Sequence, residues 1–169
     1  MKRMAMIALA LCLAGCKAQQ DFETVSDKLL DAPAAIVQPM QIPLPRDAAV
    51  GVFQGEDGGT LYLCDGYTVT VQTYAGGDVR KTLLDATGFS FDALRPVQTK
   101  QGPDTRYDCV WTAAGEGEEQ VGRLALIDDG NYHYVLAAMA PASQTARLSD
   151  VWQSLFDGFA LGEPISTGS

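Results

Sequence analysis

Hydrophobic and polar residues alternate along several short stretches of this chain, as expected of half-buried β-strands. The clearest example is residues 67–74, where Tyr67, Val69 and Val71 share one face and mostly polar residues the other. The preceding Asp65-Gly66 suits a two-residue hairpin loop, because both positions tolerate positive φ. The other predicted strands are residues 50–53, 60–64, 97–101, 106–113, 120–127 and 132–139. Together they predict an antiparallel β-sheet of about five to seven strands.

Two segments have helical periodicity instead. Residues 79–86 predict a short helix, with Gly88 where a left-handed C-cap falls. After Pro141, apolar residues recur at spacings of three and one, which is one stripe of an amphipathic helix. The stripe consists of Leu148, Val151, Trp152, Leu155, Phe156 and Phe159. Since an apolar sheet face needs a cover, we predict an α+β domain over residues 49–162, with a C-terminal amphipathic helix on the sheet and a disordered tail at 163–169.

The order of these elements resembles the PsbP-like family over residues 49–161. The shared features are the hairpins, Thr87-Gly88-Phe89 after a short helix, and a closing helix rich in Trp and Phe. That family consists mostly of binding and assembly proteins, so the resemblance implies a binding role. No site motif of the family matches, and no site residue is carried over.

The first residues have the pattern of an export signal. Lys2 and Arg3 precede an apolar run at residues 4–13, which is shorter than the roughly twenty residues needed to span a bilayer. The run ends in Leu13-Ala14-Gly15-Cys16, which resembles the lipobox of bacterial lipoproteins. The resemblance implies removal of residues 1–15 as a cleaved signal peptide and attachment of a diacylglyceryl group and an N-acyl chain to Cys16. A plain secretory signal is the alternative.

A lipid on Cys16 predicts a protein anchored in the bacterial cell envelope and facing the periplasm. Lys17 follows the cysteine where aspartate retains enteric lipoproteins in the inner membrane, so the outer membrane is favoured. Residues 16–48 contain Pro33, Pro39, Pro43 and Pro45 and predict an extended tether. Packing of part of this stretch on the domain stays open, since Met40 and its apolar neighbours lie within it.

Charge restricts the partners. The net charge is −9, and it becomes −11 when the signal peptide leaves with two basic residues and no acidic one. Nucleic acid and anionic lipid surfaces would repel such a chain. The predicted partners are therefore the membrane, through the anchor, and an envelope protein.

Cys64 and Cys109 remain after the signal cysteine and the lipidated one. An even pair in an oxidising compartment predicts a structural disulfide. Two free buried thiols are the alternative, and a redox pair is a third interpretation that lacks Cys-x-x-Cys spacing.

Few residues of this chain have the pattern of a catalytic, metal-binding or ligand-binding site. His133 is the only histidine, Gly-x-Ser-x-Gly is absent, and the local ligand spacings of a histidine metal site are missing. Residues 128–131, Asp-Asp-Gly-Asn, predict a turn rather than a calcium loop. Tyr107 and Trp111 share a face with Cys109, which favours packing over a ligand-lining aromatic wall. An acidic loop containing Glu116, Glu118 and Glu119 is either a solvated hairpin tip or a contact for a partner.

These observations predict a non-enzymatic binding or accessory module of a cell-envelope complex, with no cofactor beyond the covalent lipid. The alternative is a carrier of a small apolar or lipid ligand between sheet and helix. An enzyme would require a deep pocket that brings His133 together with carboxylates.

Overall fold

The computed structural model describes residues 37–53 and 59–162. In chain order the strands are β1 (Met40–Gln41), β2 (Ala49–Phe53), β3 (Gly59–Cys64), β4 (Tyr67–Ala75), β5 (Val97–Gln101), β6 (Asp104–Ala114), β7 (Glu119–Asp128), β8 (Tyr132–Pro141) and β9 (Ala160–Leu161). The helices are α1 (Val79–Thr87), α2 (Phe91–Leu94) and α3 (Thr145–Asp157), and a 3₁₀ turn, Ala142–Gln144, leads into α3.

Seven of the strands form one antiparallel sheet in the order β2-β3-β4-β8-β7-β6-β5. Two meanders, β2-β3-β4 and β5-β6-β7-β8, meet where β4 pairs with β8. The connection between the meanders carries α1 and α2. The predicted α+β class and the antiparallel sheet are confirmed.

One face of the sheet is covered by α3, as the apolar stripe predicted. Tyr67, Val69 and Val71 of β4 belong to the core on this face. The side chains that α3 buries there are Leu148, Trp152, Leu155 and Phe156. Full burial of one such side chain stabilises a fold by about 1.5–3 kcal/mol, so α3 is held mainly by this stripe.

The other face is covered by α1 and α2. Leu83 and Leu94 pack there against Cys109, Trp111 and their neighbours on the central strands. Helix α1 ends at Gly88, whose φ of 78° gives the predicted left-handed cap. The sequence predicted only a connector where α2 lies. Because both faces are covered, the sheet forms the middle layer, and residues 124–127 of β7 are buried without alternation.

The segment before the sheet packs on the domain. Met40, Ile42 and Leu44 are partly buried against the core under α3, and β1 pairs with β9. Of the two interpretations that the sequence left open for this stretch, the structure therefore has packing on the domain for residues 40–44. Met40, Ile42 and Leu44 alternate with polar or proline residues, so an extended chain presents these three side chains to the core. The remaining tether (16–36), the signal peptide (1–15), Cys16 and the tail (163–169) lie outside the described residues.

Candidate functional site

His133 is buried in β8 and connects the sheet to α1. Its side chain is 1% exposed, and its Nδ1 lies 2.7 Å from the Thr82 hydroxyl. Its Nε2 lies 3.8 Å from Asp128 Oδ1 and has no hydrogen-bond partner. The order Thr–His–Asp resembles that of a nucleophile, base and acid, but Thr82 is itself buried. In this geometry the pair joins two layers of the fold.

Burial lowers the pKa of His133, while the nearby carboxylates of Asp128, Asp129 and Asp78 act in the opposite direction. The net direction favours the neutral imidazole, since water cannot solvate the charged ring there. His133 therefore resists protonation in the folded state.

Asp129 organises the β7–β8 turn. Its Oδ1 accepts the backbone N–H groups of Asn131 and Tyr132, at 2.8 and 2.7 Å. Its Oδ2 accepts the Tyr134 hydroxyl at 3.0 Å and the Gln38 side-chain amide at 3.1 Å. Burial alone would raise the pKa of Asp129, but these four hydrogen bonds lower it. The carboxylate thus fastens residue 38 to the sheet, and the predicted turn at 128–131 is confirmed.

Groups of three or more His, Cys, Asp or Glu with a metal-holding arrangement are absent from the described residues. The described helices also include none that is long and apolar enough to cross a bilayer.

The predicted disulfide between Cys64 and Cys109 is wrong in this structure. Both thiols are free. Cys64 lies on β3 and packs with the core under α3, whereas Cys109 lies on β6 and packs under α1 and α2. Four strand spacings separate β3 from β6, which is about 19 Å, and bridged cysteines need Cα atoms less than about 7 Å apart. Burial raises the pKa of Cys109 to about 11, which makes it a poor nucleophile.

The acidic loop projects from the end of the sheet. Glu116, Glu118 and Glu119 are all exposed, and the Gly115 N–H closes the loop by donating to the Glu118 carbonyl at 3.2 Å. The next residue, Gln120, lines an open groove of about 420 Å³. We call this the hairpin-end groove, and its apolar lining includes Leu63, Met139 and Pro141.

The hairpin-end groove lies where the cover of α1 and α2 stops. Leu63 of β3, Thr68 of β4 and Met139 of β8 are direct cross-strand neighbours on that face. Leu63 is 48% exposed. Tyr67 also lines the groove, and its buried hydroxyl has no partner with hydrogen-bond geometry. The site that the residues build is therefore an apolar groove, and the acidic loop immediately precedes its lining residue Gln120 in the sequence.

The interface between the sheet and α3 is filled by side chains. Trp152, Leu155 and Phe156 pack there against Tyr134 and Leu136 of β8, all of them buried. Two polar atoms in this layer, Tyr67 OH and Trp152 Nε1, lack partners. This packing gives no support to the alternative of a ligand carried between sheet and helix.

Sequence reasoning missed three polar residues that organise the fold, namely Thr82, Arg106 and Asp129. Arg106 is buried, and it binds Asp108 in a bidentate pair at 2.8 and 3.0 Å. It also donates to the carbonyls of Phe156 and Phe159 at the end of α3, at 2.8 and 3.2 Å. Polar residues inside an apolar pattern were the available signal, but the bonds by which these residues join separate elements, to His133, to the end of α3 and to Gln38, span 50 or more residues.

Comparison with known proteins identifies similar structures but no family. No protein-family model matches this sequence, and no curated protein is related to it at a significant level. The resemblance to the PsbP-like family therefore stays a prediction.

The solved structures that match this one include three with TM-scores below 0.5. One is a protein from Bacteroides thetaiotaomicron, with 14% identity and a TM-score of 0.49 over 73% of this chain and 45% of that one. The second is LpqN, involved in cell envelope biogenesis of Mycobacterium tuberculosis, with 13% identity and a TM-score of 0.47 over 78% and 86% of the two chains. The third is the Ran-binding protein MOG1P of Saccharomyces cerevisiae, with 13% identity and a TM-score of 0.44 over 75% and 96%. This chain spans less than half the length of the first, and none of these likenesses assigns it a function.

Proposed function

We propose that this protein is a lipid-anchored lipoprotein of the bacterial cell envelope that acts as a non-enzymatic binding or accessory module. The anchor is the diacylglyceryl and N-acyl lipid on Cys16. The domain faces the periplasm, with the outer membrane favoured over the inner one.

The sequence supports the anchor. Leu13-Ala14-Gly15-Cys16 follows an apolar run that is too short to span a bilayer. Several acyl chains hold a protein on a membrane stably, whereas a single chain binds it reversibly. Substitution of Cys16 by Ser is expected to release the protein from the membrane fraction, and a Cys16→Ser protein that stays in that fraction would refute the anchor.

The hairpin-end groove is the observation that carries the binding role. It combines the exposed side chain of Leu63 and the partly buried Met139 with an adjacent loop of three exposed carboxylates, for which the described residues supply no ion pair. Apolar area drives association, while charge on the rim selects the partner and speeds the encounter. We therefore expect an envelope protein whose contacting segment is apolar and carries lysine or arginine.

The test is recovery of the partner from native membranes. The full chain is tagged at its C-terminus and extracted in mild detergent, and copurifying proteins are quantified by mass spectrometry. A stoichiometric partner is expected with the unchanged chain, and its yield should fall at least about tenfold when three charge-assisted contacts are lost. The variant that removes them carries Glu116→Gln, Glu118→Gln and Glu119→Gln.

A matched control removes three exposed carboxylates elsewhere, through Asp92→Asn, Asp150→Asn and Asp157→Asn. The control reduces the net negative charge by the same amount and should keep the partner. Recovery of the protein alone from unchanged membranes would refute the accessory role, and equal losses in both variants would refute the assignment of the groove.

A further inference from the structure

A second apolar surface lies on the opposite face, beyond the edge of α3. Val97 of β5 and Val110 of β6 are 66% and 60% exposed. Val97 is paired with Asp108, two residues from Val110, so the two valines share a face and are near neighbours. Val110 is in turn paired with Arg123 of β7. Together with Arg95, these residues line an open groove of about 330 Å³, which we call the valine strip.

The rim of the valine strip is basic although the chain is strongly acidic. The described residues contain eight lysines and arginines, of which Arg80, Lys81, Arg106 and Arg147 form ion pairs with carboxylates. Arg95 and Arg123 have no carboxylate of the described residues within ion-pair distance. Asp108 lines the strip, but Arg106 already holds it in the bidentate pair. The Arg95 guanidinium is therefore available to an outside anion, and that of Arg123, which lies over the Phe156 ring at 4.4 Å, adds positive charge beside it.

Arg95 is held in a backbone conformation that costs stability. Its φ of 47° makes it the one non-glycine residue with positive φ in the described part of the chain. The residue caps α2, since its N–H donates to the Phe91 carbonyl at 2.9 Å. Glycine is the residue that this position favours, and a side chain costs about 1 kcal/mol there. The Arg95 side chain has no ion-pair partner among the described residues, so its charge can serve a ligand from outside.

The backbone of β5 adds a third feature. β5 is the last strand on its side of the described sheet. Two residues connect it to β6, so Gln101 and Asp104 form a hydrogen-bonded pair next to the turn. Alternation along the ladder then directs the N–H and C=O groups of Gln98 and Lys100 away from β6. The edge offers two donors and two acceptors to an added strand.

We propose that the β5 edge and the valine strip bind an extended, acidic segment of a partner protein as an added strand. The segment's backbone pairs with Gln98 and Lys100, a large apolar side chain covers Val97 and reaches toward Val110, and a carboxylate binds Arg95 or Arg123. Strand addition provides affinity through the main chain and specificity through alternate side chains. This inference rests on the proposed binding function and assigns a second class of partner segment, opposite in charge to the one expected at the hairpin-end groove.

The test uses two peptides and the full chain in mild detergent at low ionic strength. One fluorescein-labelled peptide alternates glutamate with leucine, and the other, unlabelled, alternates lysine with leucine. Fluorescence anisotropy should show saturable binding of the glutamate peptide, and an excess of unlabelled lysine peptide should not displace it, because the hairpin-end groove is the site expected for a basic apolar segment. No binding of the glutamate peptide, or its displacement by the lysine peptide, would overturn the proposal.

Two variants distinguish the contribution of the β5 backbone to peptide binding from that of the Arg95 charge. Gln98→Pro removes an outward N–H without removing a hydrogen bond to β6, and Arg95→Gly removes a guanidinium while relieving the positive φ. Each should weaken binding of the glutamate peptide at least about tenfold. Arg95→Gly should also raise the unfolding midpoint, a combination that a purely structural arginine would not give. Arg46→Glu, at an exposed arginine elsewhere, should change the affinity little because its charge lies away from the strip.

Two outcomes would separate this inference from related interpretations. If light scattering shows a dimer that Gln98→Pro abolishes, the occupant of the edge is a second copy of this chain and the proposed partner is wrong. If the glutamate peptide does not bind while a native partner still copurifies through the hairpin-end groove, the valine strip alone is refuted and the accessory function stands.

Discussion

The two faces of the sheet are covered by different means, and the difference determines where apolar surface stays exposed. One face carries α3, thirteen residues long, together with residues 37–45. The other carries α1 and α2, of nine and four residues. Helix α3 leaves the β5–β6 side of its face uncovered, at Val97 and Val110. Helices α1 and α2 leave the β3–β4 side of the other face uncovered, at Leu63. The two candidate surfaces therefore lie on opposite faces and toward opposite edges, and only the valine strip is lined by arginines.

On each face a buried polar group attaches the covering helix. Under α3, Arg106 donates to two carbonyls at the end of the helix and to Asp108. Under α1, His133 shares a single hydrogen bond with Thr82. Several charge-assisted bonds are stronger than one neutral bond, so we expect the α3 layer to be the more firmly attached of the two.

The largest expected effect comes from truncating the α3 stripe. Trp152→Ala should lower the free energy of unfolding by about 3–5 kcal/mol, because it leaves a cavity in a filled layer. Trp152→Phe should cost clearly less, since it keeps an aromatic ring and removes an indole N–H that has no partner. Urea unfolding measures both, and Val151→Ala, on the exposed side of α3, is the control. Equal losses for the Ala and Phe variants would show that ring packing does not determine the stability of this face.

Packing on the α1–α2 face is tested by adding a methyl group at Gly122, next to the Trp111 ring. A Cβ at Gly122 of β7 would fall against the indole ring of Trp111 on β6, which is a rigid and buried neighbour. Gly122→Ala should therefore destabilise the fold by about 1–3 kcal/mol through overpacking. Gly51→Ala is the matched control, since its Cβ would meet its nearest atom at 3.4 Å, close to ordinary contact. Thermal unfolding of the two variants gives the comparison, and a neutral Gly122→Ala would mean that Trp111 moves freely on this face.

Much of the sheet was predictable because its signals are local. The alternation in β4, the Asp65-Gly66 loop and the Gly88 cap each depend on a few neighbouring residues. The alternation, the cap and the position of the hairpin loop are confirmed, although only Gly66 of the loop has positive φ. The stripe of α3 was equally readable, since thirteen residues give more than three helical turns. Helix α2 was not, because four residues are too few to show a helical period.

Features that depend on strand order were not predictable. An oxidising compartment favours a disulfide between Cys64 and Cys109, but the order of the strands places the two cysteines far apart and on opposite faces of the sheet. The same holds for the His133–Thr82 bond, which joins residues 51 positions apart, and for the contact of residues 37–45 with the core. Prolines in that segment indicated a spacer, while the alternating Met40, Ile42 and Leu44 carried the contrary signal. The two candidate surfaces likewise depend on which parts of the sheet the helices leave uncovered, and local sequence patterns do not predict those parts.

The smallest expected effect is a pH dependence of the stability of the fold, through the His133–Thr82 contact that attaches α1 to the sheet. Burial lowers the pKa of His133 below the 6.5 of an unfolded histidine, so below that pH the unfolded chain binds a proton that the folded chain does not. Stability should therefore fall as the pH drops from about 6.5 toward the folded-state pKa, with a slope of at most about 1.4 kcal/mol per pH unit. Urea midpoints at about pH 7.5 and about pH 5.5 measure the loss. His133→Gln keeps a polar group near the Thr82 hydroxyl and should flatten the dependence in this window. A wild-type midpoint that rises on acidification would mean that the carboxylates of Asp128, Asp129 and Asp78 outweigh burial, and that His133 attaches α1 as a cation.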